Sequence, residues 1–279
     1  MIGCDEMQLP QALADEFGGD DAFERIMQLQ GEVFRSVPGR RTLRFELAGK
    51  SYFAKLHYGV GWREIFKNLC SLRLPIVSAR TEWRAIQRLG ELGIATTPAV
   101  AYGCRGSSPA SLRSFIITED LGDIVSLEDY CRDWLQNPPQ AALKRRLLRA
   151  VADVACGIHE HGLNHRDFYI CHLCMNGDRL AAGDIHLYLI DLHRMQVRSQ
   201  APDTACMKDM AALYFSALDI GLTQRDCLRF VRRYFAAPLA QSMRGRQTFW
   251  DRVDQRARKL YHKFHGRWPV TPFDSGNKS

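Results

Sequence analysis

The sequence predicts an α+β protein of two lobes, the first β-rich and the second helical. Three observations carry this. Up to Thr118, apolar and polar residues alternate in short runs broken by Gly and Pro, the mark of half-buried strands. From Ser126 onward, apolar residues recur at spacings of three and four, the mark of helices. Between them lies a polar bend, Glu119-Asp120-Leu121-Gly122, in a chain of 279 residues, long enough for two lobes around a ligand cleft. The expected division is an acidic N-terminal extension over 1–30, a first lobe over 31–120, a helical second lobe over 121–268 and a tail over 269–279.

Each element has a local reason. Phe23, Ile26, Met27 and Leu29 form a short amphipathic segment. Val33–Val37 reads as a strand turning at Pro38-Gly39. Leu43, Phe45 and Leu47 alternate with Arg44, Glu46 and Ala48, and a two-residue turn at Gly49-Lys50 returns the chain through Ser51–His57. Helices are predicted over Arg63–Leu72 and Ala79–Leu92, the second with Trp83, Ile86 and Leu89 on one face and Gly93 as its stop. Pro98–Tyr102 and Ser114–Thr118 are further strands, after which strand signals nearly vanish. Ser126 caps a helix carrying Glu128 and Asp129 in its first turn. A long helix spans about Gln140 to Glu160, and others fall near 208–220, 223–236 and 247–264.

Composition excludes several classes. With 46% hydrophobic and 25% charged residues the chain is neither disordered nor fibrous, and no run is apolar enough to span a membrane. Met1–Glu6 carries no secretory signal. Nine dispersed cysteines read as reduced thiols and not as a disulfide framework, which agrees with a cytoplasmic protein. Charge is uneven. Residues 1–32 hold eight acids and one base, net −7, whereas 225–268 hold twelve bases and three acids, net +9. Such a face suits an anionic glycolipid, a membrane surface or an acidic protein, or is an ordinary solvated helix surface. No nucleic-acid recognition motif appears, so no nucleic acid is expected.

The chemistry-bearing residues point to phosphoryl transfer. Asn164-His165-Arg166-Asp167 lies in a loop after the long helix, and the apolar strand Leu187–Ile190 ends in Asp191. One carboxylate there orients an acceptor hydroxyl and takes its proton, and the other holds magnesium against nucleotide phosphates. Lys55, central in Tyr-Phe-Ala-Lys-Leu, is a phosphate-binding lysine or an edge-strand lysine that blocks aggregation. Its expected partner is Glu82, with Glu64 as competitor. The turn bearing Gly39, Arg40 and Arg41 is either a phosphate cover or an ordinary hairpin.

Longer blocks then set the family. Gly39–Arg44, Gly59–Leu69, Asn164–Asp167 with Tyr169–His172, Ile190–Arg194 and Leu213–Leu222 together resemble the lipopolysaccharide core heptose(I) kinases, over roughly residues 31–264. The resemblance implies a two-lobed protein-kinase-like fold and transfer of the γ-phosphate of ATP, with Mg2+, to O4 of the first inner-core heptose. It gives Asp167 the base position and Asp191 the metal position. Lys55 and Glu82 form the lysine–glutamate pair, Arg166 braces the loop, and Gly39, Arg40, Arg41 and Glu119 join the nucleotide-binding set. It implies work at the cytoplasmic face of the inner membrane, with the inner-core glycolipid as acceptor and Arg232, Arg233, Arg256, Arg258 and Lys259 on the face that meets it. An acidic protein partner such as a carrier is the other use of that face.

Two departures from the protein-kinase pattern stand out. His172 replaces the second magnesium-binding Asn, and Leu192-His193 follow Asp191. Imidazole is a poor magnesium ligand, so His172 is expected to bond a phosphate or Asp167, with one tightly held magnesium. Kinase action on another core sugar, such as 3-deoxy-manno-octulosonic acid, and nucleotide binding without turnover are the alternatives. Gly49-Lys50-Ser51 lacks the first Walker A glycine, since position 44 is Arg. Cys171-His172-Leu173-Cys174 has no second Cys pair at zinc-ribbon spacing. His159 and His161 are expected at a helix C-terminus, where cationic character is favourable.

Overall fold

Alternating residues in the first 119 positions build one antiparallel six-stranded sheet. The computed structural model describes residues 4–18, 21–59, 78–108, 110–243 and 246–274. They fall into two units: Met1–Arg88 with Thr97–Leu121 and Leu192–Arg194, and Leu89–Thr96 with Gly122–Asp191 and Met195–Ser279. The expected helix Arg63–Leu72, the competitor Glu64 and most of the Gly59–Leu69 block lie outside the described residues.

In the first unit the elements are β1 (Cys4–Gln8), α1 (Gln11–Phe17), α2 (Ala22–Met27), β2 (Glu32–Val37), β3 (Arg40–Leu47), β4 (Lys50–His57), α3 (Arg80–Glu91), β5 (Ala99–Gly106) and β6 (Arg113–Glu119). The sheet order is β1-β5-β6-β4-β3-β2. The β3–β4 turn is Ala48-Gly49, one residue earlier than expected. Both have positive φ, +49° and +74°, the type I′ geometry that matches strand twist, and Leu47 pairs with Lys50 across it.

One sheet face buries Leu43, Phe45, Ala54, Leu56, Phe115 and Ile117 with Leu13, Phe23, Ile26 and Met27 of α1 and α2. The described residues among the first thirty are therefore part of this unit's sheet and core and not an extension. β1 pairs along β5, and α2 fills the core. Their acidity hid this, because acids such as Asp5, Asp15 and Glu16 hold exposed positions beside the few inward apolar residues Leu13, Phe23, Ile26 and Met27. Glu24, for example, accepts from both terminal nitrogens of Arg113, which holds its carboxyl below the usual range. The other face carries Tyr102, stacked on Trp83 of α3 at 5.4 Å. The start of α3 is pinned where the Ala79 N–H donates to Ser114 Oγ of β6, at 2.9 Å. Gly103 has no Cβ because one would stand 2.4 Å from the Phe115 ring.

The second unit holds β7 (Ile124–Ser126), α4 (Leu127–Tyr130), α5 (Ala141–Glu160), β8 (Leu163–Asn164), β9 (Leu173–Asn176), α6 (Gly177–Ala181), β10 (Leu187–Leu189), β11 (Gln196–Val197), α7 (Asp203–Ser216), α8 (Gln224–Tyr234), α9 (Leu239–Met243) and α10 (Gln247–His265). Strands do not vanish here. They make a β10-β9-β7 sheet and a β11-β8 pair, each strand too short to show a period. α7 starts at Asp203, earlier than expected; from Cys206 to Leu213 every residue but Lys208 is buried, so no one-sided apolar stripe marks the helix. α10 packs against α7, and α8 against α5. Thr223 and Asp226 cap α8 reciprocally.

Candidate active site

In the first unit, Lys55 is on β4, paired with Thr42 of β3 on one side and Ile116 of β6 on the other. An inner strand has no edge to protect, so the anti-aggregation explanation falls away. The ammonium donates to Glu82 Oε1 at 2.5 Å. Glu82 is buried on α3, and its Oε2 has no hydrogen-bond partner among the described residues. A buried carboxylate against a lysine that keeps 28% exposure fixes the ammonium while leaving it donors to spend.

His57 lies on the same sheet face as Lys55, opposite Arg40. Burial, then the charges of Arg40, Lys55 and His193, hold its pKa down to about 3, so it is neutral. Gly39 forms the β2–β3 turn with φ +79°, and its carbonyl accepts from the Tyr58 N–H at 2.9 Å. Arg41 donates to Gln30 Oε1 at 3.4 Å. Glu119 is exposed at the end of β6, opposite Tyr52.

In the second unit, Asp209 organises the loop that carries Asp167. This carboxylate is 1% exposed on α7 and accepts two consecutive backbone N–H groups, His165 at 2.6 Å and Arg166 at 2.9 Å. Two adjacent N–H groups reach one carboxylate because Arg166 adopts φ +74°, a left-handed conformation costly for a residue with a Cβ. His159 Nε2 lies 3.4 Å from the same carboxylate, and its Nδ1 meets the Tyr234 hydroxyl at 2.8 Å. His159 lies in the last turn of α5, as expected, and there it is a buried strut of the loop.

His165 is fully buried and donates from Nε2 to the Ile190 carbonyl at 2.9 Å. Burial holds its pKa down against the opposing pull of that carbonyl and of Asp209, leaving it neutral. The Tyr169 N–H and His172 Nδ1 both donate to the Asp167 carbonyl, at 2.9 and 2.7 Å, winding a tight turn that presents the Asp167 side chain. His172 Nε2 stands 3.4 Å from Asp191 Oδ2, and the Ile190 N–H donates to the His172 carbonyl. One imidazole therefore ties the Asp167 turn to Asp191, which itself has φ +62°. Burial lowers the His172 pKa, but hydrogen bonds to Cys171 and the Asp167 carbonyl and the charge of Asp191 outweigh it, pushing it up to about 9.

A family model described as "Lipopolysaccharide kinase (Kdo/WaaP) family" matches residues 24–234. The chain belongs to the lipopolysaccharide kinase (Kdo/WaaP) family. It is 50% identical over 248 residues to the lipopolysaccharide core heptose(I) kinase WaaP of Pseudomonas aeruginosa, covering 88% of this chain and 92% of that one. Against the Escherichia coli protein of the same description, identity is 46% over 255 residues, covering 91% and 96%. A solved structure described as WaaP in complex with acyl carrier protein matches with a TM-score of 0.80 at 45% identity, over 92% of this chain and 99% of that one. The Kdo/WaaP family member described here is an enzyme, a kinase.

For a kinase of the Kdo/WaaP family the donor set suits its co-substrates. Carboxylate oxygens such as those of Asp191 are what magnesium takes, and His172 Nδ1 is already committed to a carbonyl. Among the described residues no group of three or more His, Cys, Asp or Glu is arranged as a metal cage. Magnesium in nucleotide sites needs none, because phosphates and water supply most of its ligands. Of the basic residues picked from the sequence, Arg233 is spent on Asp153, and Arg258 is spent on Asp254, Asp274 and Thr271. Arg232, Arg256 and Lys259 remain exposed.

Sequence reading missed Asp209 and Tyr234, and the part His159 plays in supporting the loop. The available signal was a lone acid in the apolar run Cys206-Met207-Lys208-Asp209-Met210-Ala211-Ala212, where an acid is buried only if something must bind it.

Proposed function

We propose that this kinase transfers the γ-phosphate of ATP to O4 of the first heptose of the lipopolysaccharide inner core. Near 50% identity to heptose(I) kinases along almost the whole chain carries the reading. The Lys55–Glu82 ion pair in the first unit and the Asp167 turn, tied through His172 to Asp191, in the second support it. In this mechanism Asp167 accepts the proton of the sugar hydroxyl as that oxygen attacks phosphorus. Lys55, held by Glu82, binds phosphate oxygens, with Gly39, Arg40, Arg41 and Glu119 contributing to nucleotide binding. Asp191 holds magnesium, which when bound neutralises charge on the phosphates. Arg166 keeps the loop in its left-handed turn, and His172 locks the Asp167 carbonyl and steadies Asp191.

The acceptor is membrane-anchored, so the enzyme works at the cytoplasmic face of the inner membrane as a peripheral protein. No helix among the described residues is long and apolar enough to cross a membrane. An acyl carrier protein is the acidic partner, as in the solved complex of the relative. In support, the second unit has a cavity of about 190 Å³ with almost wholly apolar walls, including Leu147, Val151, Met210 and Leu213, suited to an acyl chain.

The test is incubation of the protein with ATP, magnesium and a core glycan lacking heptose phosphate, read by mass spectrometry and by NMR of the product. One phosphoryl group at O4 of the first heptose is expected. Phosphate on 3-deoxy-manno-octulosonic acid alone, or ATP binding without transfer, overturns the reading.

A further inference from the structure

We propose that the C-terminal end of α10 and the residues after it form a docking surface for an anionic phospholipid bilayer, holding the Asp167 loop near the membrane. This rests on the reading of the acceptor as a membrane-anchored glycan and names the surface that meets its membrane.

The helix has two distinct faces. Val253, Ala257 and Tyr261, four residues apart, are buried. Arg252, Gln255, Arg256, Lys259, His262 and Lys263 recur at the complementary spacings and are all exposed. From 252 to 270 the only acid is Asp254, and it is bound by Arg258 at 2.7 Å. The stripe is therefore cationic along its length, with no carboxylate within it to offset the charge.

The helix stops at Gly266, in the left-handed conformation, and large apolar side chains then stand in water beside these cations. Phe264 is 78% exposed, Trp268 59% and Val270 77%. Cations in the last turn are explained by the helix dipole alone. The dipole gives no reason for exposed Phe, Trp and Val next to them. A bilayer interface accounts for both, since aromatic rings settle at head-group level while Lys and Arg meet anionic phosphates. The rings project from a helix end and are not sunk in a groove. Trp268 stacks on His262 with centroids 4.4 Å apart, which orders the indole beside the stripe.

The surface is physically joined to the catalytic loop within the same unit. The Phe264 ring lies 6.0 Å from Phe215, and Phe215 lies 6.1 Å from Tyr169, whose N–H donates to the Asp167 carbonyl. An inner-core sugar sits close to its lipid anchor, so a loop two ring contacts from the bilayer is where such an acceptor would meet it.

The experiment is co-sedimentation of the full chain with phosphatidylcholine vesicles, with and without phosphatidylglycerol. Binding should require phosphatidylglycerol and weaken with salt. Phe264→Ser with Trp268→Ser should weaken it about tenfold or more. Phosphate transfer to a water-soluble, deacylated core oligosaccharide should stay unchanged, and transfer to vesicle-embedded glycolipid should fall.

Unaltered vesicle binding by the double variant overturns the proposal. So does a parallel loss of transfer to the soluble acceptor, which would place these rings in a glycan site, or binding of an acyl carrier protein that needs them while vesicles do not. Trp268→Phe guards against misfolding. Brominated lipid should quench wild-type tryptophan fluorescence more than that of this variant, and equal quenching also overturns the proposal. Vesicle binding is read without turnover, so a wild-type protein that binds vesicles but phosphorylates no core glycan would sink the functional reading and leave the docking surface standing.

Discussion

The two units hold their chemistry in different ways. In the first, Lys55 is gripped directly: one strand, one helix and one ion pair of 2.5 Å to Glu82. In the second, Asp167 is positioned at a distance. Asp209 of α7 grips the backbone on the N-terminal side of Asp167, His159 and Tyr234 back Asp209, and His172 closes the turn from the other side. A directly paired group depends on its one partner. A group held by its backbone depends on residues that touch no substrate, so its failure should spread through the loop.

Four measurements break or sharpen that contrast, the largest effect first. Asp167→Asn removes the proposed base and keeps the Asp167 carbonyl on which the turn is built. The kcat for phosphate transfer should fall about 10²- to 10⁴-fold with an unchanged unfolding midpoint. Activity within tenfold of wild type would deny Asp167 the base role. Asp209→Ala strands the buried His165 N–H and the part-buried Arg166 N–H, and urea unfolding should show a loss of about 2–4 kcal/mol together with a lower kcat. A loss of activity with no change in stability would show that Asp209 acts by some route other than holding the loop.

Lys55→Met and Glu82→Gln should each raise the KM for ATP, and the double variant should cost less than the two singles combined, with a coupling of about 1–2 kcal/mol. Additive effects would show that the pair does not act as a unit.

The smallest effect is a pH dependence confined to the first unit. Neutral, buried His57 has a folded pKa of about 3 against about 6.5 when unfolded. Below pH 6.5 the unfolded chain takes up a proton that the folded one refuses. Stability present above pH 6.5 is therefore lost by up to about 1.4 kcal/mol for each pH unit down toward 3. His57→Gln should flatten that slope by one proton in urea titrations between pH 6.5 and 5. An unchanged slope would mean His57 is not the titrating group.

Legibility from sequence follows the same divide. The β2–β4 meander, α3 and the Lys55–Glu82 choice were readable because period-two and helical patterns are local, and together they place a lysine and a glutamate on facing elements. The N-terminal strand and helices were misjudged as an extension because their acids mask a few inward residues such as Phe23 and Ile26. His165-Arg166-Asp167 was readable as a motif. Its support was not: Asp209 is 44 residues from His165 and Tyr234 is 75 from His159, and no local period records such pairings.

By itself, then, the sequence determined which side chains carry charge and hydrogen-bonding capacity, that β2–β4 are strands and α3 and α5 helices, and where the basic stripe lies. These depend on neighbours a few residues away. Only the tertiary structure decided that Lys55 is on an inner strand, that His172 bonds a carbonyl, and that Arg233 and Arg258 are spent on local acids. It also decided that Phe264 and Trp268 stay in water. Each of those depends on which distant groups arrive to satisfy or cover a polar or apolar surface, and burial is a property of the folded neighbourhood.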